Sequence, residues 1–507
     1  FPTTANRRKS SPKAIFLMSI FIHNSLTKKK EEFLPLTPQK VNLYSCGVTV
    51  YDDCHIGHAR SLYIFEVIRR YLKYRGFQVN FVRNITDIDD KIINRANELK
   101  ADWKELVSKY IDRYYQNLAA LGLSKADFEP RATENIPEML KFIQGLIDKG
   151  YAYATTTGVY FSVRKFKEYG KLSGQSIEQM LTGVRKEADE TKEDPLDFAL
   201  WKKSKPGEPF WQSPWKEGRP GWHIECSVMS TKYLNTETLD IHAGGRDLIF
   251  PHHENEIAQS EALTGKTFAK YWIHHGLLTI NGQKMAKSLG NFVTIKDFLN
   301  QYEYPNILKL FFLSANYSQQ IDYTAENIYD AEQNFDRISN LLIAINYKID
   351  ANRAKIILDR QDEELKKIRN SFIEAMDDDF NLPQAKAVIL NDLVRSAYSR
   401  INDINFIFAS KNLLEELMDI LVLDPSDIPE SGSASSSSLS SSSSSLSRSS
   451  SSSPALTSIA IQQLIEKRND ARKKRDFKES DKIRKELEEQ GVILEDTKDG
   501  TTWRRKL

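Results

Sequence analysis

The chain has 507 residues, 40% of them hydrophobic and 28% charged, with a formal net charge of +2 at pH 7. This composition is ordinary for a protein of several domains, and its near-balanced charge restricts any nucleic-acid contact to local basic patches. No apolar run approaches the roughly 20 residues that cross a bilayer, so we expect no membrane partner. Three cysteines are too few for a disulfide framework and indicate the reducing cytoplasm.

The N-terminal segment 1–17 carries four basic residues and no acidic residue, and it runs into an apolar stretch, 14–22. Such a pattern is typical of a targeting peptide, but no small-residue cleavage site follows. We therefore expect 1–17 to be an upstream or targeting-like extension, with Met18 as the natural start.

The first regular elements predict a βαβ unit. Residues 41–50 have the pattern of a buried strand, a helix with one apolar face follows, Gly76 ends that helix, and 77–85 is a second β-rich run. We expect a parallel α/β sheet whose first half spans 18–125, with ligands bound at the carboxyl end of the first strand.

Residues 126–220 have a different pattern, with an amphipathic helix, hairpin-like β structure at 151–163 and then a polar stretch. This predicts a connective insertion into the sheet domain. The α/β pattern returns at 238–241 and 272–280, within a second half that spans 221–295.

The remaining chain is mostly helical up to about residue 424. Residues 425–455 hold an almost pure serine tract, which cannot bury apolar surface and predicts a disordered linker. The last unit, 456–507, opens with a strongly basic helix that includes Lys467, Arg468 and Arg472, and Trp503 lies near its end. These residues suit phosphate contact and base stacking, although a solvated helix with local ion pairs has the same pattern.

A short motif that suits phosphate binding, His55-Ile56-Gly57-His58, lies between the first strand and its helix. A helix N-terminus offers unpaired N–H groups to phosphate, and glycine lets a nucleotide approach the backbone. Two imidazoles can also donate hydrogen bonds to phosphoryl oxygens. An incidental turn explains this tetrad equally well.

A second motif, Lys284-Met285-Ala286-Lys287-Ser288, lies on a loop bounded by glycines. Two lysines on such a loop can close over a triphosphate, although a solvated basic turn is the ordinary alternative. The two motifs in this order predict a site that activates a carboxylic acid with ATP.

Four residues have the chemistry of a tetrahedral Zn²⁺ site: Cys46, Cys226, His252 and Glu256. His252 and Glu256 are four apart, so on a helix they share one face. The spacing fits no zinc-finger pattern, however, and buried apolar packing of the cysteines is an equally good explanation.

The two motifs resemble the HIGH and KMSKS signatures of class I aminoacyl-tRNA synthetases, with Ala286 in place of a serine. The resemblance is to cysteinyl-tRNA synthetases in particular, from about residue 18 to 424 and again after the serine tract. It is carried by the segments 44–60, 84–91, 221–226 and 250–260.

This resemblance implies a Rossmann-like parallel-sheet catalytic domain with an insertion, then an α-helical bundle and a small C-terminal α+β module. Residues 296–324 would contact the tRNA stem, 325–424 would form the anticodon-side bundle, and 456–507 would bind the anticodon. The implied activity is ATP-dependent formation of cysteinyl-adenylate, followed by transfer of cysteine to the 3′ end of tRNA(Cys).

The same resemblance implies the site residues. Zinc is expected on Cys46, Cys226, His252 and Glu256 rather than on His253, and it binds the substrate sulfur. Mg²⁺ accompanies ATP. The implied ATP-binding residues are His55, Gly57, His58, Lys284, Met285, Lys287 and Ser288. Four of them, His55, His58, Lys284 and Lys287, are expected to be catalytic.

The implied amino-acid pocket consists of Gly47, Thr49, Thr86, Trp222 and Asp247. Trp222 closes over the substrate side chain, unless it is an ordinary core aromatic, and Asp247 holds the ammonium group. Because sulfur binding separates cysteine from serine, no editing domain is needed, and 126–220 is too short for one.

Other features have simpler interpretations. Cys54 is expected to be a packed free thiol, and the acidic run 377–379 to be solvated, helix-capping charge. No coiled-coil or interface pattern stands out, so we expect a monomer. Two other functions remain open: a cysteine:amino-sugar ligase of the mycothiol pathway, which lacks the C-terminal module, and a non-catalytic RNA-binding paralogue.

Overall fold

A computed structural model describes residues 19–183, 191–286, 289–352, 362–427 and, within 464–505, all but 466, 470, 473, 475, 490, 491, 498 and 499. The described strands are β1 (Phe21–Asn24), β2 (Lys29–Glu32), β3 (Lys40–Thr49), β4 (Gln78–Thr86), β5 (Ala152–Ala154), β6 (Gly158–Phe161), β7 (Phe198–Lys203), β8 (Gly218–Pro220), β9 (Leu239–Gly245), β10 (Ala269–His275), β11 (Leu278–Ile280), β12 (Gln283–Lys284), β13 (Ile321–Tyr323), β14 (Val492–Thr497) and β15 (Gly500–Arg505).

The described α-helices are α1 (Ile56–Tyr74), α2 (Asp90–Leu99), α3 (Trp103–Ala120), α4 (Ile136–Asp148), α5 (Ile177–Gly183), α6 (Trp222–Leu234), α7 (Glu254–Thr264), α8 (Ile295–Tyr302), α9 (Pro305–Phe312), α10 (Ala325–Ala351), α11 (Glu363–Asp377), α12 (Leu382–Ala387), α13 (Val394–Ser399), α14 (Ile404–Ile420) and α15 (Phe477–Glu489). None of the described helices is long and apolar enough to cross a membrane.

The predicted βαβ unit is confirmed and lies at the centre of a four-stranded sheet. Its order is β10-β9-β3-β4, and every neighbouring pair is parallel. Helix α1 buries its apolar face against the sheet and ends just before Gly76, whose φ of +90° suits glycine. The chain runs outward from β3 to β4 on one side and from β9 to β10 on the other, so the loops after β3 and β9 diverge and open a crevice between them.

The β structure within the predicted α/β stretch 272–280 is divided into two strands, β10 and β11. They are separated at Gly276, where a Cβ atom would overlap the carbonyl of Gln319. The guanidinium of Arg60, which is fully buried, donates hydrogen bonds to the carbonyls of Gly276, Leu277, Tyr317 and Gln319. The chain therefore turns out of the central sheet here, and β11 pairs with β12 and β13.

The insertion contains α4 and an antiparallel sheet of order β5-β6-β7-β8. The predicted hairpin at 151–163 corresponds to β5 and β6. Apolar side chains from this sheet, α4, α6 and α7 share one buried cluster, so the insertion packs directly on the helices that border the crevice.

The acidic run 377–379 is not uniformly solvated, and that expectation is wrong for Asp377. Its side chain is buried, pairs with Arg75 and accepts a hydrogen bond from the Tyr71 hydroxyl. Asp378 does cap α11 and is exposed. Asp379 accepts hydrogen bonds from the amide of His23 and the hydroxyl of Tyr317. This run therefore joins the helical region to α1 and to the N-terminal hairpin.

The C-terminal module consists of α15 and the β14–β15 hairpin, and Tyr329 of α10 packs against its small apolar core. Its basic segment is only partly exposed. Lys467 and Arg472 face solvent, but Arg468 is 3% exposed and bonds to Thr501, so the expectation of phosphate contact is wrong for Arg468. The serine tract and the side chain of Trp503 lie outside the described residues.

Candidate active site

The predicted metal ligands meet at the carboxyl end of the central sheet. Cys46 lies on β3, Cys226 lies in the second turn of α6, and His252 and Glu256 lie on a helical turn that continues into α7. All four are at most 8% exposed. Their four ligand atoms lie within 4.8 Å of one another.

The distances between the ligand atoms fit a metal ion with tetrahedral coordination. A tetrahedron with metal–sulfur bonds of about 2.3 Å has an S···S edge of about 3.8 Å, and a mixed S···N edge of about 3.5 Å. The two Sγ atoms of Cys46 and Cys226 are 3.8 Å apart, and Cys226 Sγ is 3.5 Å from His252 Nε2. His252 Nε2 and Glu256 Oε1 are 3.0 Å apart. The donor set and its spacing therefore fit a metal ion.

The electrostatics of the four groups are strongly coupled. Burial, the Cys226 hydrogen bond and nearby negative charge raise the pKa of Cys46 well above its usual value. Burial opposes ionisation of Cys226 too, but the Cys46 hydrogen bond and His252 bring its pKa down to about 6. Burial alone would lower the pKa of His252, but the negative charge of Glu256 raises it to about 10. Burial alone would raise the pKa of Glu256, but His242 and His252 lower it to about 2.

Further histidines surround this cluster. His223 Nδ1 is 2.9 Å from His252 Nδ1, and His242 Nε2 is 2.8 Å from Glu256 Oε2. His253, which was excluded as a ligand, lies with Nε2 only 3.2 Å from Cys46 Sγ, and it forms a second possible ligand group with Cys46, His242 and Glu256. These rings position the ligands that they touch.

The predicted amino-acid pocket adjoins the cluster. Thr86 is buried, and its hydroxyl donates to Glu225 Oε2 at 2.8 Å and accepts from the Asn84 amide. The side-chain oxygen Oδ1 of Asn84 accepts a hydrogen bond from the backbone amide of Gly47 at 2.8 Å. A Cβ atom on Gly47 would overlap the backbone carbonyl of Asn84. Thr49 is half-buried at the end of β3. A continuous hydrogen-bonded chain thus holds the ends of β3 and β4 together.

The other two residues expected in the pocket, Trp222 and Asp247, are the exposed members of the set. Trp222 is 37% exposed and stacks on the His252 ring with centroids 4.0 Å apart, so its interpretation as a core aromatic is wrong. Asp247 follows β9 and is exposed. Both side chains are exposed to solvent.

The prediction that unpaired backbone amides at the N-terminus of α1 bind phosphate is wrong. His55 is the N-cap residue, and its Nδ1 accepts from the amides of Gly57 and His58 at 3.1 and 3.3 Å. The amides of Ile56 and Ala59 donate to backbone carbonyls. The first-turn amides are therefore already bonded, and a Cβ on Gly57 would lie 2.9 Å from the His55 ring.

The imidazoles of His55 and His58 lie together at the start of α1. The His58 Nδ1 accepts from the His55 amide at 3.3 Å, and the two rings stack with centroids 3.7 Å apart. Burial, helped by His55 and Lys91, lowers the pKa of His58 well below its usual value, so this ring is neutral. In both rings Nδ1 accepts a hydrogen bond, so a proton carried on Nε2 can be donated to a phosphoryl oxygen.

The second motif lies against the first. Met285 comes within 3.8 Å of the position of a Cβ on Gly57. The segment after the motif is fastened to the same place, since the amide of Ile56 donates to the Val293 carbonyl at 3.1 Å. Lys284 is exposed at the end of β12, and Lys287 and Ser288 lie outside the described residues.

Sequence reasoning missed several residues of this site, namely Asn84, Glu225, His223, His242 and His274. Asn84 and Glu225 are inside the segments that carried the resemblance, but a lone polar residue in a strand or helix has no distinguishing pattern. One signal was present, because five of the nine histidines fall between residues 223 and 274.

Comparison with known proteins agrees with this geometry. Residues 32–333 match the family described as tRNA synthetases class I (C) catalytic domain, 371–423 match the DALR domain, and 454–504 match the cysteinyl-tRNA ligase anticodon binding domain. The chain therefore belongs to the class I aminoacyl-tRNA synthetases.

Curated relatives narrow this assignment. The chain is 49% identical to the cysteine–tRNA ligase of Thermodesulfovibrio yellowstonii over 494 residues, which cover 96% of this chain and 99% of that protein. It is 45% identical to the cysteine–tRNA ligase of Aquifex aeolicus over 506 residues, again covering 96% and 99%. Within its class, the chain is a member of the cysteine–tRNA ligase family.

Solved structures share the fold. Methionyl-tRNA synthetase of Mycobacterium tuberculosis, in complex with methionyl-adenylate, has a TM-score of 0.57 at 13% identity, covering 75% of this chain and 88% of that one. A putative arginyl-tRNA synthetase of Campylobacter jejuni has a TM-score of 0.52, also at 13% identity, covering 77% and 94%. At this identity the likeness concerns the fold alone, and it agrees with the predicted Rossmann-like architecture.

Proposed function

We propose that this enzyme activates L-cysteine with ATP and transfers it to the 3′ end of tRNA(Cys). The observation that carries the proposal is the buried cluster of two thiols, an imidazole and a carboxylate in the crevice of a class I synthetase fold. Activation of an amino acid does not in general require a metal that binds sulfur. Selection of cysteine does explain such a cluster, because the metal can bind the cysteine thiolate.

The ligands we assign to Zn²⁺ are Cys46, Cys226, His252 and Glu256. An ion held there would supply a soft cation for the substrate's thiolate sulfur, whereas a serine hydroxyl would gain much less. A difference of ~5–7 kcal/mol discriminates by a factor on the order of 10⁴–10⁵. Trp222 closes over the side chain, and Asp247 holds the ammonium group, with Gly47, Thr49 and Thr86 lining the remainder.

In the first step, the cysteine carboxylate attacks the α-phosphorus of ATP and expels pyrophosphate. The Nε2–H groups of His55 and His58 donate to the phosphoryl oxygens as negative charge moves toward the leaving group. Lys284 and Lys287 neutralise charge on the triphosphate, and Mg²⁺ accompanies it. Met285 and Ser288 complete the ATP site, with Gly57 leaving room for the His55 ring.

In the second step, the terminal ribose hydroxyl of tRNA attacks the mixed anhydride. The helical region 325–424 and the module 456–507 bind the anticodon side, and 296–324 contacts the stem. A match to an anticodon-binding domain favours tRNA over an amino sugar as acceptor. Both phosphate motifs and all four metal-binding side chains argue against a non-catalytic paralogue. We further propose a cytoplasmic monomer, on the cysteine content and the lack of an interface pattern.

The test is cysteine-dependent ATP–pyrophosphate exchange and tRNA charging, with serine assayed in parallel and metal content determined on the same sample. Lys287→Ala should slow the exchange strongly, and an unchanged rate would contradict the loop assignment. Deletion of 456–507 should reduce charging far more than exchange. Equal losses in the two assays would show that this module does not serve tRNA binding.

A further inference from the structure

A second cavity of about 350 Å³ lies at the free edge of β10, where the N-terminal hairpin, the turn after β9 and the helical region meet. It is separate from the proposed metal cluster, since none of the four proposed ligands lines it. The residues that matter for its chemistry are His23, Ser25, Lys28, Arg246, His274 and Asp379. Its volume is that of a small-molecule site.

The cavity carries an excess of positive charge. Lys28 and Arg246 are exposed, and neither forms an ion pair with any residue in the described part of the chain. The one acidic lining residue, Asp379, already accepts hydrogen bonds from the His23 amide at 2.8 Å and the Tyr317 hydroxyl at 2.7 Å. Two cations that converge on one cavity favour an anionic ligand.

The inner wall has an unsatisfied polar atom. His274 is 3% exposed, and its Nε2 is 2.8 Å from His253 Nδ1. The other ring nitrogen, Nδ1, is buried without a hydrogen-bond partner. Burial lowers the pKa of His274 to about 3, so the ring is neutral and cannot serve as an anion's counter-charge. A neutral imidazole nitrogen is instead best matched by a hydroxyl group.

We propose that this cavity binds a ribose phosphate group, with the phosphate between Lys28 and Arg246 and a sugar hydroxyl on His274 Nδ1. The phosphate group provides the counter-charge for the two cations, and the sugar provides a hydroxyl donor for the buried nitrogen of His274. A ribose phosphate satisfies both. Its source is either a free nucleotide or the backbone of an RNA chain.

The test is calorimetric titration of the full chain with ribose 5-phosphate, inorganic phosphate and ribose in separate experiments. Ribose 5-phosphate should bind most tightly, and Lys28→Gln should weaken it by about tenfold or more, because a hydrogen bond to a charged group is lost. Lys28→Arg should retain binding. Lys141→Gln, at an exposed lysine in a different cavity, is the matched control and should change nothing.

Equal affinity for ribose 5-phosphate and inorganic phosphate would overturn the role of His274. Absence of binding, or binding indifferent to Lys28→Gln, would overturn the site. Displacement of ribose 5-phosphate by a 5′-phosphorylated oligoribonucleotide would identify RNA as the source, and displacement by AMP alone would identify a nucleotide. These measurements need no catalysis, so their failure is distinguishable from failure of the proposed ligase activity.

Discussion

Loading the metal-free chain with Zn²⁺ at pH 7.5 should release two protons per ion. At that pH the pKa values near 6 for Cys226 and 2 for Glu256 leave both groups ionised. Cys46, whose pKa is raised, is a thiol, and His252, with a pKa of about 10, is an imidazolium. Metal binding requires two thiolates and a neutral imidazole, so one proton leaves Cys46 and one leaves His252.

Protons and Zn²⁺ compete for the same side chains, so a higher pH favours binding of the ion. Affinity should rise with pH by about 100-fold per unit between pH 7 and 9, because two protons are displaced together. Calorimetry in buffers of different ionisation enthalpy counts the protons directly. Cys54→Ser is the control, since this buried third thiol, with a pKa of about 12, lies outside the cluster and should not affect the count. Release of one proton or fewer would refute this account of the coupled site.

Three substitutions probe the remainder of the site. Thr86→Val removes the hydroxyl that joins the Glu225 carboxyl group and the Asn84 side-chain amide, and it should lower the free energy of unfolding by about 2–4 kcal/mol in urea denaturation. Thr86→Ser keeps the hydroxyl and should lose less than half of that free energy. Equal losses for the two variants would contradict the hydrogen-bonded chain. Trp222→Ala should raise the KM for cysteine in pyrophosphate exchange by roughly tenfold, whereas an unchanged KM would remove Trp222 from the pocket. Gly57→Ala displaces the His55 ring and should lower kcat of exchange by about 100-fold, and a normal kcat would mean that this ring position is unimportant.

Local sequence patterns predicted the central elements because those elements are determined locally. Apolar periodicity located β3, α1 and β4 within one or two residues, and glycine marked the end of α1. The spacing of His252 and Glu256 placed both on one face of a helical turn, where their side chains do meet. Residues 1–18, 287–288 and 428–463 lie outside the described part of the chain, so the expectations for them stay predictions.

Contacts between distant segments decided the rest. The Cys46 and Cys226 thiols are brought to 3.8 Å across 180 residues of sequence, and no spacing rule expresses that. Adjacent positions such as His252 and His253 face different partners because the turn before α7 aims them apart. Likewise, Gly276 breaks a strand only because Gln319 crosses there.

The sequence by itself predicted the class of chemistry, because the two phosphate-binding motifs occur in the order of the synthetase signatures that they resemble. Only the tertiary structure decided which atoms are donors. The amides of Gly57 and His58 at the start of α1 donate to the His55 side chain, so the phosphate donors that we propose are the imidazole Nε2–H groups. Ring orientation and burial set these assignments, and both depend on packing between segments that are far apart in the chain.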